Sequence, residues 1–154
     1  MRWIGRLWAA PITLLALPLA LIVRLGGGRF ARQGIAWEAA GGCAPRLLWL
    51  MNPWMRIDAI TLGHIIIAKD AATADCMRTH EQVHVRQYER WGVFFPFAYA
   101  AASINAAARG ACPYRGNAFE QEAFATAAAA TSLAAAATHS GIALVKSRQN
   151  TRRN

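Results

Sequence analysis

The stretch R-T-H-E-Q-V-H-V-R-Q-Y-E-R-W-G, Arg78 to Gly92, decides how the rest of the chain must fold. After a turn at Lys69-Asp70, Thr73 or Asp75 can cap a helix that runs through His84 to about Trp91, where Gly92 closes it. On a helix, positions i and i+4 lie one above the other about 6 Å apart, so His80 and His84 can direct both imidazoles at one ion. Glu81 is adjacent to that stripe. The duller reading is a solvated helix face that happens to carry two histidines, and Arg78, Arg86, Glu89 and Arg90 nearby favour it.

In the H-E-x-x-H pattern the two histidines bind zinc while the glutamate takes a proton from zinc-activated water. A catalytic zinc needs three protein ligands and one open position. His64 and His139 are the only other histidines, no cysteine is suitably placed, and the downstream carboxylates are Glu120 and Glu122 in N-A-F-E-Q-E-A, Asn117 to Ala123. Glu120 has a competing duty. Asn117 and Glu120 are spaced as an N-cap and its N3 partner, a capping box whose glutamate also suits the helix macrodipole. Glu122 is then the fallback ligand, from a different face.

Either carboxylate constrains topology. Trp91 to Ala108 is free of formal charge. If it crossed a bilayer core of about 30 Å, both glutamates would lie on the opposite side from His80. A metal site therefore requires this segment to fold back as a buried or re-entrant helix, and Gly92 and Pro96 make the bend plausible. The last helix starts at about Ala118, is Ala-rich through Ala137, should pack against the domain over Ala123 to Val145, and meets a candidate end or break at Gly141.

The 154-residue chain is 55% apolar and only 16% charged, so contact with a membrane is expected. Leu7 to Val23 carries no charge and is flanked by Arg2, Arg6 and Arg24, at the short end of a membrane span. No convincing small-residue cleavage site follows, which favours a retained anchor over a signal peptide, with a buried or re-entrant helix as the alternative. R-F-A-R-Q-G-I-A-W-E-A-A-G-G after it reads as a short hairpin around Gly34. Ala59 to Ala68, apolar on both faces, reads as a covered strand with His64 on the face of Leu62 and Ile66.

The formal charge is +9, but the basic residues are spread along the chain with no basic helix and no aromatic-interleaved pattern. That argues for no nucleic acid and for membrane lipids, anionic ones above all, as the partner. The basic segment Lys146 to Asn154 is expected to be a disordered tail suited to such a surface. Cys43, Cys76 and Cys112 form neither a disulfide framework nor a thiolate zinc site, and read as small apolar residues.

With these motifs in hand, the chain resembles the zincin metallopeptidases, in particular the gluzincin branch that includes CAAX-prenyl-protease-like membrane enzymes. Those carry H-E-x-x-H and, on a later helix, E-x-x-A-D, whose first glutamate is the third zinc ligand. Glu120-Gln121-Glu122-Ala123-Phe124 matches the Glu and the Ala, which maps that role onto Glu120; the expected Asp is Phe124 instead. T-L-G-H, the histidine stretch and Y-R-G-N-A-F-E-Q-E-A also resemble blocks of a group of short, uncharacterised bacterial membrane proteins, over most of the chain. The resemblance further implies that a strand beside the helix pairs with an extended substrate.

The expectation is an α+β fold: a mostly helical, zincin-like minimal domain over 26–145 with a small sheet, a membrane anchor over 1–25 and a tail over 146–154. Its function would be a membrane-associated, zinc-dependent, peptidase-like hydrolase acting on a peptide or protein at the bacterial inner membrane. His80, His84 and Glu120 would hold Zn2+, and Glu81 would be the general base. Tyr114, Arg115 and His64 are the candidate donors to a developing oxyanion. The alternative is a non-catalytic membrane protein whose metal site is structural or vestigial.

Overall fold

The computed structural model describes residues 2–53 and 56–151, with side chains over 3–53 and 56–138. Helix α1 (Arg2–Leu25) is followed by β1 (Arg29–Gln33), β2 (Ala36–Ala40), the short helix α2 (Ala44–Met51), β3 (Ala59–Leu62) and β4 (Ile65–Ala68). Then come α3 (Ala71–Trp91), a 3-10 turn (Gly92–Phe94), α4 (Phe95–Ala108) and α5 (Ala118–Thr151). The fold is α+β, mostly helical with one small mixed sheet.

The strand order is β1-β2-β4-β3. The expected hairpin is β1 against β2, antiparallel, and β2 runs parallel to β4 with Trp37 opposite Ile65. Ala59 to Ala68 is not one strand. It is the antiparallel hairpin β3–β4, turning at Gly63 and His64, with Leu62 opposite Ile65. Gly63 sits at φ +62, and a Cβ there would run into Thr13 of α1. Apolar residues on both sides of the turn hid it. His64 therefore leaves the strand face and reaches α1.

Asp70, not Thr73 or Asp75, caps α3: its carboxylate accepts the Thr73 N–H at 2.7 Å, a bond that also lowers its pKa. Asp75 instead pairs with Arg29 and Arg78. About two turns into α3, Arg78 makes a two-pronged pair with Glu38 of β2, at 2.8 and 3.0 Å, and Glu38 is only 2% exposed. These two bonds tie the start of the histidine helix to the sheet.

The core lies between α1 and the sheet, where Ala16, Ala20 and Val23 meet Ala39, Leu48, Ile65 and Ile67. Burying each of the three larger aliphatic side chains there contributes about 2 kcal/mol. Leu48 comes from α2, a helix the sequence reading did not anticipate, with Pro45 in its first turn. Cys43 is half-buried beside it, whereas Cys76 and Cys112 are exposed, so only the first behaves as the small apolar residue expected.

The chain does fold back after α3. Gly92, at φ +58 and covered by the Trp8 ring, ends the helix, and Pro96 occupies the first turn of α4. Asn117 then bonds the Tyr99 carbonyl and Ser103, which pins the start of α5 to α4. Among the described side chains of α5, over 118–138, those that pack on the domain lie in its first turns. Ala123 is buried but residues 128–138 are exposed, which corrects the packing expected over the whole of Ala123 to Val145. Alanines offer too little apolar area to hold a helix down, although they sustain the helix through Gly141. The basic segment from Lys146 falls where the backbone alone is described, and 152–154 lie outside the described residues.

Candidate metal centre

Three side chains from two helices meet behind the α3–α5 contact. His80 and His84 point from one face of α3, and the α5 side chain that meets them is Glu120. His80 Nε2 stands 3.2 Å from His84 Nε2 and 3.2 Å from Glu120 Oε2, while His84 Nε2 is 3.3 Å from Glu120 Oε1. All three residues are buried. One atom from each lies within 4.8 Å of the others, so the group could hold a metal ion.

Hydrogen counting identifies what the cluster lacks. The Gln87 amide nitrogen donates to the Phe119 carbonyl (3.1 Å) and to Glu122 Oε2 (2.9 Å), which fixes its oxygen toward His84. Gln87 Oε1 therefore accepts from His84 Nδ1–H at 2.8 Å, leaving the Nε2 lone pair facing the other two groups. A neutral His80 has one hydrogen to give from Nε2, and given to His84 Nε2 at 3.2 Å it leaves the Glu120 carboxylate oxygen beside it without a donor. A cation among the three groups would take lone pairs from all of them. Glu120 Oε2 and His80 Nδ1 are both buried without a hydrogen-bond partner. A cation at the centre would engage that carboxylate oxygen.

Without a cation, protons on the histidines take its place. Burial pushes the Glu120 pKa up, but hydrogen bonds from His80, His84 and Tyr99 outweigh it and hold the carboxyl well below its usual range. His84 is the reverse: burial disfavours its charge, yet Glu120, Glu81 and Gln87 together raise its pKa. Glu81 is raised chiefly by burial, against the pull of His84, Thr61 and His80. Thr61, on β3, donates to Glu81 Oε2 at 2.7 Å and so holds the carboxylate beside the histidines.

Glu120 does not close a capping box. Asn117 caps α5 alone, accepting the Phe119 N–H at 2.9 Å, while Glu120 turns inward and accepts the Tyr99 hydroxyl at 2.7 Å. Glu122 lies one step removed, bonded to Gln87. Phe124, where the resemblance leads one to expect an Asp, packs its ring 4.7 Å from the His80 ring. His80 thus lacks the partner that His84 finds in Gln87.

Comparison with known proteins brings no match to a family model, a curated protein or a solved structure.

Of the three oxyanion candidates, Tyr114 comes to the site: its pKa is raised by burial and then by the Glu120 charge, and its ring meets Phe124 edge-on at 5.9 Å. Arg115 is exposed. His64 is elsewhere, between Thr13 and Glu89. Sequence reasoning missed Thr61, Gln87 and Tyr99. Gln87 carries a signal in retrospect, since it lies three residues after His84 on the same helical face. Tyr99, the one hydroxyl-bearing aromatic in a mostly apolar α4, carries a fainter one.

Proposed function

We propose that the protein is a membrane-associated, zinc-dependent hydrolase, peptidase-like in its chemistry. The observation that carries this reading is the convergence of the three ligand groups. Four ligands held tetrahedrally at the usual zinc distances of about 2.0–2.1 Å stand about 3.3 Å from one another. The two histidine Nε2 atoms are 3.2 Å apart, and each lies 3.2 or 3.3 Å from one of the two Glu120 oxygens, so small side-chain adjustments would suffice to bring one oxygen into such a set. Three protein donors with nitrogen and oxygen atoms also suit zinc and leave a fourth position open. The resemblance to gluzincins, H-E-x-x-H with Glu120 on a later helix, points the same way.

Zinc bound by these residues would supply Lewis-acid activation of water and of a substrate carbonyl. Glu81 is the proton carrier. With Oε2 engaged by Thr61, its Oε1 is left to take a proton from the attacking water and later to deliver it to the leaving amine. Tyr99, tied to Glu120, orients the ligand; Tyr114, whose hydroxyl also reaches Glu120, is the group that would turn from it to donate to the developing oxyanion. The outer edge of β3 pairs with no other strand of the sheet, and Thr61 links β3 to Glu81, so a substrate peptide could add there as a further strand. α1 is long and apolar enough to cross a membrane and serves as the attachment to the bacterial inner membrane.

A structural or vestigial metal site in a non-catalytic membrane protein is the second reading. It is favoured by the burial of His80, Glu81, His84 and Glu120 alike, each at most 7% exposed. Metal analysis and hydrolysis of a peptide library separate the two. Wild type is expected to hold one zinc per chain and His80→Ala none, while Glu81→Gln keeps the zinc and loses hydrolysis. Wild type without zinc removes the hydrolase and the structural zinc site and leaves the vestigial one. Zinc retention by Glu81→Gln with hydrolysis unchanged removes Glu81 as the base, and a zinc-loaded wild type that cleaves nothing favours the structural site.

A further inference from the structure

α1 has two unlike faces. Ala9, Ala16, Ala20 and Val23 are buried, and a Cβ on Gly5 would come within 2.9 Å of the Glu89 carbonyl oxygen. Leu7, Leu14 and Leu21 lie on the opposite side, exposed at 64%, 64% and 56%, with Trp3, Ile4 and Leu15 beside them. At 100° per residue the exposed set covers about half the circumference and the buried set a narrower, small-residue stripe. Phe94, its ring 6.1 Å from Trp8, extends the outer face onto the turn after α3.

The inner contact runs the length of the helix. Gly5 meets the end of α3, Thr13 meets His64 and through it Glu89, and Ala16, Ala20 and Val23 meet the sheet. Trp3–Leu25, 23 residues, is about 34 Å long, barely more than a hydrocarbon core of about 30 Å. Were α1 to cross a bilayer, everything packed on its middle would share hydrocarbon depth. That includes a sheet with two open edges, β1 and β3, and Phe30, which packs into the α1 cluster between Arg29 and two residues before the exposed Arg32. Open sheet edges do not occur in contact with lipid.

We propose that α1 lies in the plane of the membrane instead of crossing it, with its leucine face at the boundary of headgroups and acyl chains of an anionic bilayer. α3, the sheet and the metal centre then stand above it on one side. This rests on the membrane attachment proposed above and specifies its geometry. The charge of the protein suits the occupant. The net charge is +9, and Arg6 and Arg24 leave α1 at the border of the exposed arc, where long side chains reach headgroups while their stems stay apolar.

Leu7, Leu14 and Leu21 are two turns apart on one line, so their immersion depths read the tilt of the helix directly. In the full chain with Cys43→Ala, Cys76→Ser and Cys112→Ser, each leucine is changed singly to cysteine and carries a nitroxide. The protein is reconstituted into vesicles of phosphatidylethanolamine and phosphatidylglycerol. Depth is read from relaxation by oxygen against a water-soluble nickel complex. The expected result is one shallow depth at all three positions. A helix that crosses puts Leu14 about 10 Å deeper than its neighbours, seven residues at 1.5 Å each. That result, or a steady slope along the three, overturns the in-plane geometry and leaves the membrane attachment standing. Three labels in water overturn both. Spin–spin broadening that vanishes on dilution with unlabelled protein, with little access to lipid, assigns the face to a second copy of the chain and overturns the proposal too.

Discussion

Two histidine clusters lie on α3 or against it, built from the same kinds of group, and they differ in whether their hydrogen bonds close. At the α1 contact, the His64 backbone N–H and Nδ1 both meet Thr13 Oγ1 at 3.0 Å, and Nε2 faces Glu89 at 3.3 Å. Every polar atom of that ring has a neighbour of complementary character. Across the helix, His80, His84 and Glu120 share too few hydrogens among them and leave Glu120 Oε2 buried and unpaired. A histidine beside a carboxylate is therefore no sign of a ligand by itself. What marks the second cluster is a buried carboxylate oxygen one donor short, which an added cation or proton would satisfy.

The comparison breaks most severely if a ligand is removed. His84→Ala or Glu120→Ala should lower zinc affinity by more than about 100-fold, beyond the cost of losing a ligand's hydrogen-bond partner, as measured by competition with a coloured chelator. Unchanged affinity in both would mean that zinc, if bound, sits elsewhere. Next in size is Gln87. Gln87→Leu removes the acceptor that fixes the His84 tautomer and should cost about 10–100-fold in zinc affinity, while Gln87→Glu, which still accepts from Nδ1–H, should cost much less. Equal losses in the two variants would show that Gln87 acts through packing alone.

How much of this was legible in the chain varies with the range of the signal. That His80, His84 and Glu120 could form one cluster was readable because i, i+4 spacing on a helix is local and because Glu120 lies in a recognisable block. The requirement that α4 turn back was also readable, from lengths and charges alone. The β3–β4 turn was missed because Ile60, Leu62, Ile65 and Ile67 make the run apolar throughout, so neither periodicity nor polarity marked the turn at Gly63. α2 was missed because eight residues are too few for a periodic pattern to stand out. Glu38, Thr61 and Tyr99 are tied to α3 or α5 only by tertiary contact, and nothing in their neighbourhoods says which side chain each will meet. The in-plane seating of α1 is likewise invisible until one sees what its alanines touch.

The smallest effect sharpens the comparison from the closed side. Thr13→Val preserves shape but removes the oxygen that receives the His64 N–H and meets Nδ1, at a part-buried site. Stranding those donors should destabilise the protein by about 1–2 kcal/mol. The cost should appear as a lower urea midpoint at an unchanged slope, since the surface exposed on unfolding stays the same. Zinc affinity should not move, because His64 touches none of the three ligands and its loss leaves the Gln87–His84 bond intact. His64→Gln with Thr13 in place, whose amide can still receive from or donate to the hydroxyl, should cost less than Thr13→Val. If Thr13→Val instead weakened zinc binding as Gln87→Leu does, the two histidine clusters would be one network running through α3, and the distinction between a closed cluster and an open one would no longer separate structure from function.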